Sequence, residues 1–137
     1  MKPIAVNHFL DLGRCGEVGL FYDNFQKKIT EAWSMQYEES SFKINLPSGI
    51  EKVCFANLSG NILNQADYEK IKNYDVYDAN LFLIPIEKTC DMPYKLIKHI
   101  NITKITKSEN PYCIENSKEM KIKKGFYDKL VFVERNV

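Results

Sequence analysis

The sequence has little that would mark a staple, a metal centre or a membrane segment. Its four cysteines, Cys15, Cys54, Cys90 and Cys113, form no C-x-x-C pair. Structural zinc usually draws its ligands in close pairs, so no metal is expected. The two histidines, His8 and His99, stand far apart in the chain, and His8 with Asp11 is at most an i, i+3 pair on a turn. No apolar run approaches the roughly 18 residues of a membrane-spanning helix. The opening stretch is interrupted by Asp11 and Arg14 before it could serve as a secretory leader. These absences lead to a cytoplasmic expectation, or to export by a route that leaves no such mark, and in the cytoplasm the cysteines would be reduced and buried thiols. The sequons at Asn57 and Asn101 then carry no sugar. "PSG" and "SGN" lack the glycine spacing of a phosphate cradle, and no cofactor is expected. No repeat, low-complexity tract or long linker interrupts the chain, so residues 1–137 read as one globular domain.

What is present is an ordinary apolar content and sixteen Phe and Tyr residues, enough to build a core without staples. Val18, Phe21, Tyr22, Phe25, Ile29, Ala32 and Trp33 recur at helical spacing and predict an amphipathic helix over about 17–34. Gly16 and Gly19 make its start uncertain. Residues 41–61 read as a hairpin, with Phe42, Ile44 and Leu46 alternating before "PSG" and "EKVCFANL" after it. Asn64 caps a short surface helix over about 64–73. "ANLFLIPI" (79–86) is a strand buried on both faces. "CDMPYKLIKHI" offers Asp91 as N-cap and Pro93 in the first turn, predicting a helix over about 92–100. "NITKITK" reads as extended, and "FYDKLVFVERNV" as a closing strand. The class is α+β, around a mostly antiparallel sheet.

Charge is balanced overall but not along the chain. Residues 1–94 carry 9 basic and 13 acidic side chains, and residues 95–137 carry 10 and 5. The acids Glu38, Glu39, Asp67, Glu69, Asp75 and Asp78 are interleaved with Tyr37, Tyr68, Tyr74 and Tyr77. Carboxylates steer a basic partner, and tyrosines give contact area at small entropic cost. Lys118, Lys121, Lys123 and Lys124, near Phe126 and Tyr127, could contact phosphates, but Glu115 and Glu119 dilute them, so nucleic acid is not the expected partner. Cys15, His99 and Asn101 follow the chain order of papain-like cysteine enzymes. A nucleophile there would need a thiolate at a helix N-terminus and an imidazole in reach. Without a local signature, the expected role of Cys15 is a core thiol and that of His99 a helix-end cation, and no residue is assigned to catalysis.

"EKVCFANLS", a polar helical stretch, "ANLFLIPI" and "PYKLIKHI" together resemble the strand–helix–strand–helix order of toxin-activating lysine acyltransferases. The resemblance implies an N-acetyltransferase-like fold and acyl transfer. That family relies on a His near its first helix and an Asp on the later strand. Here the corresponding places hold Cys15, with His8 further back, and an Asp-free "NLFLIPI". The leading expectation is therefore a small inhibitor of immunity type. It would bind one protein, plausibly a basic nuclease-like toxin, through Glu38, Glu39, Tyr74, Asp75, Tyr77 and Asp78. Acyl transfer and a weak RNA-binding module are the alternatives, and the oligomeric state is left open.

Overall fold

The computed structural model describes residues 2–75 and 77–136, with side chains described from residue 13 onward. The first helix, α1, spans Lys2–Trp33. Its helical stripe is the one the spacing predicts but for its last member: Val18, Phe21, Tyr22, Phe25, Ile29 and Ala32 are buried, whereas Trp33 is 41% exposed. The helix begins well before residue 17, because Gly13, Gly16 and Gly19 lie inside it. The expected pair of His8 with Asp11 lies outside the described side chains.

Two antiparallel sheets follow. One has the order β1–β6–β7, built from Glu38–Lys43, Glu119–Lys124 and Phe132–Arg135. The other has the order β4–β3–β2–β5, built from Tyr94–Lys95, Leu81–Ile84, Lys52–Phe55 and Tyr112–Glu115. α1 links them: Phe25 meets Phe42 of β1 edge-on at 5.3 Å and Phe55 of β2 at 5.9 Å. Burying one such ring is worth about 2–3 kcal/mol. The α+β class and the antiparallel pairing are as the sequence implies.

β3 is buried on both faces, as its continuous apolar run predicts. Leu81 and Leu83 enter the main core beneath α1, whereas Phe82 and Ile84 join a second cluster with Cys54, Ala56, Ile71 and Cys113. That second face is covered by α2 (Gln65–Ile71), whose N-terminus is capped by the Asn64 side chain accepting from the Asp67 amide, and by Tyr74 and Tyr94.

Three local expectations are corrected. Residues 92–100 are not a helix. Tyr94–Lys95 form β4 against β3, and tertiary hydrogen bonds hold the segment extended. Leu83 donates to the Pro93 carbonyl, and the buried Asn80 side chain both donates to and accepts from Ile97. Asp91, the expected N-cap, has a positive φ of 61°, outside the extended backbone of a helix cap. Residues 41–61 do not close a hairpin either. β1 pairs with β6, and β2 with β3 and β5. The loop between β1 and β2 is held by Asn116, whose side chain bonds Leu46 and Ile50. Third, "NITKITK" holds the short helix α3 (Ile102–Ile105), because Asn101 caps it by accepting from the Lys104 amide.

The cysteines are not thiols. Cys15 is bonded to Cys90, and Cys54 to Cys113. The second pair joins residues directly opposite each other on β2 and β5.

Candidate partner-binding surfaces

The papain-like ordering does not assemble. Cys15 is held in its disulfide, and His99 stacks on Trp33 at 3.7 Å between ring centroids. Cys15 and Trp33 lie 18 residues apart on α1, which is about 27 Å along the axis. His99 caps no helix. It has a positive φ of 74° in the turn before the Ile100–Val131 bridge.

The six residues expected to form one acidic surface fall in two places. Glu38 and Glu39 are on β1, in register with Lys124 and Lys123. Glu38 pairs with Lys28, and Glu39 lies 4.0 Å from Lys121 and accepts from the Tyr37 hydroxyl. That hydrogen bond, and then the carboxylate's charge, raise the pKa of Tyr37 above that of a free tyrosine. The acidic and basic segments thus interleave here. The same register pairs or buries three of the four lysines considered as phosphate contacts, and Lys118 lines a cleft instead. Lys121 and Lys123 face Glu39 and Glu134, and Lys124 is buried, donating to the Met35 carbonyl at 2.7 Å.

Tyr74, Asp75, Tyr77 and Asp78 do stay together, and Tyr94 joins them. The three tyrosine rings converge at centroid distances of 4.8 to 6.1 Å. Tyr74 and Tyr94 pack on the second core cluster, leaving Tyr77 as the exposed ring. Among the described residues, no cation lies within ion-pair distance of Asp75 or Asp78. The sequence pattern places Tyr94 on a helix that does not form, and so gives no sign of its place beside these tyrosines.

A larger surface was not foreseen. The Glu38–Lys124 register places the chain before residue 38 and the chain after residue 124 at the same end of the β1–β6 pair. Residues 33–37 and 125–131 therefore meet. Tyr37 stacks on Phe126 at 5.3 Å, Lys124 reaches Met35, and the backbone carbonyl of His99, whose ring stacks on Trp33, accepts from the Val131 amide. The two segments expose Trp33, Met35 and Tyr37 on one side and Phe126, Tyr127 and Leu130 on the other, with Phe126 at 67% and Tyr127 at 98%. Asp128 fixes the loop by accepting from the Gly125 amide. That Gly-to-Asp turn carrying two aromatics was the available signal, but the sequence reading merged it into the closing strand.

A cleft of about 560 Å³ opens between the β5 edge and β6–β7, lined by Lys52, Asp67, Cys113, Lys118, Arg135 and Asn136 among others. Burial works against the charge on Asp67, but hydrogen bonds from Asn64 and Lys52, with the charges of Lys52 and Lys70, outweigh it and hold its pKa below the usual carboxylate value. Arg135 makes a two-pronged pair with Glu109, lies 4.3 Å from the centre of the Tyr112 ring and donates to the Cys113 carbonyl. The hydrogen bond from Arg135 lowers the pKa of Glu109.

No family model, curated protein or solved structure matches this chain.

Proposed function

We propose that this protein acts by occupying one protein partner, as an inhibitor of immunity type, and that it docks through its aromatic end. One observation carries the reading: two segments distant in sequence meet, and between them they expose six large apolar side chains, of which Tyr37 and Phe126 stack on each other. Contiguous exposed apolar surface is rare on monomeric proteins and marks interaction sites, and Trp and Tyr dominate the energetics of such sites. Asp75 and Asp78 beside the tyrosine cluster add a second surface whose free charge suits a basic partner, such as a toxin domain. Paired cysteines persist in an oxidising compartment, so we place the encounter there and not in the cytoplasm. Against acyl transfer stands the pairing of β2 with β3, antiparallel and in register along four residue pairs, so these two strands do not splay apart. The last helix of the resemblance is also β4.

Affinity capture from a native extract tests the reading. The intact chain should retain one protein at a fixed ratio. Phe126→Ser with Tyr127→Ser should weaken it by about 2 kcal/mol or more. Asp75→Lys with Asp78→Lys should slow association and reduce its salt dependence. Undiminished retention by the aromatic variant would overturn the proposal. So would concentration-dependent self-association that the same variant abolishes, since the surface would then join two copies of this chain.

A further inference from the structure

The face of the four-stranded sheet beneath α2 carries a further arrangement, apart from the aromatic end. Cys54 Sγ, Cys113 Sγ and a carboxylate oxygen of Asp67 all lie within 4.8 Å of one another, and all three residues are buried. Three elements bring them together: β2 and β5 place the cysteines opposite each other, and α2 lowers Asp67 onto them. We propose that opening the Cys54–Cys113 disulfide creates a binding site for a soft divalent cation of the zinc class, with these three side chains as ligands.

The chemistry of the donor set selects the ion. Two thiolates favour zinc and its soft relatives over magnesium or calcium. Ligands at about 2.0–2.3 Å from a tetrahedral ion stand about 3.3–3.8 Å apart, a span the three atoms reach once the sulfurs part. Asn64 Nδ2 donates to Asp67 Oδ2 at 2.9 Å, the kind of outer contact that aims a ligating carboxylate. Two thiolates and a carboxylate carry three negative charges. The ion and the Lys52 ammonium, 3.1 Å from Asp67 Oδ1, balance them, and Lys52 is exposed enough to withdraw its contact into the cleft. Cys113 and Asp67 line that cleft whereas Cys54 is wholly buried, so the fourth position faces solvent and takes a water.

The redox step balances. Reduction adds two electrons and two protons across the Sγ–Sγ bond. A dithiol supplies both and leaves as its own disulfide. Binding the cation then releases the two thiol protons to solvent.

The test uses the full chain, reduced with dithiothreitol, freed of it by gel filtration without oxygen, and titrated with Co²⁺. One Co²⁺ per chain should bind, with sulfur-to-cobalt charge transfer and the intense visible bands of a tetrahedral ion, and Zn²⁺ should bleach both. Asp67→Asn should weaken binding about a hundredfold or more, at or beyond the cost of losing an outer contact. Cys15→Ser with Cys90→Ser should leave the spectrum unchanged. The oxidised chain should give no bands. Absence of the bands in the reduced chain overturns the proposal, as does a spectrum indifferent to Asp67→Asn or lost with Cys15 and Cys90. If reduction unfolds the chain by circular dichroism, Zn²⁺ should restore the fold, and failure to do so is equally decisive against it.

Discussion

Asp67 shows how a single side chain can be legible as a type and opaque as a role. As a residue three positions after Asn64 it is an ordinary first-turn acid. In the fold it is 5% exposed and bonded by Lys52 and Asn64. Its pKa lies below the usual value, so the carboxylate stabilises the folded state at pH above that of a free carboxyl. The contribution is lost as pH falls through the lowered value. Thermal melts should therefore show the wild type above Asp67→Asn at neutral pH, with the gap closing as the pH falls below that of a free carboxyl. A gap that ignores pH would assign the stability to packing instead. Lys124 is a parallel case. The sequence offers it as a phosphate contact, yet its amine is buried on the Met35 carbonyl.

At the scale of elements, α1 and β3 are the parts whose patterns could be read directly, since each buries a face whose period is written in the chain. Phe25, fully buried at the junction of both sheets, should lose about 3–5 kcal/mol on substitution by Ala, read from urea denaturation. Segment 92–100 could not be read so. Met92, Leu96, Ile97 and Ile100 satisfy a helical template, but the free edge of β3 and the amide of Asn80 offered that backbone better partners than it could offer itself. Asn80→Ala should leave the Ile97 amide and carbonyl unpaired and cost about 2–4 kcal/mol. A cost below about 0.5 kcal/mol would mean that the strap docks without Asn80.

At the scale of the whole molecule, the two disulfides tie α1 to the loop after β3 and β2 to β5. They close separations of 75 and 59 residues. Loops of that size are worth up to about 4 kcal/mol each through restriction of the unfolded chain. Cys15→Ser with Cys90→Ser should lower the melting temperature of the oxidised protein, and added dithiol should lower that of the wild type but move the variant less. Equal shifts in both would leave Cys15–Cys90 without a stabilising part.

Local patterns along the chain determined the second half of α1, the doubly buried β3, the Asn64 cap and the α+β class, because each depends on neighbours within a few residues. Which strands paired, which cysteines met and which aromatics were left facing water were decided only by the tertiary structure. Residues 33–37 meet 125–131 through the register of β1 on β6. Cys54 meets Cys113 through that of β2 on β5. Register is fixed by contacts between residues tens of positions apart, and no local pattern encodes it.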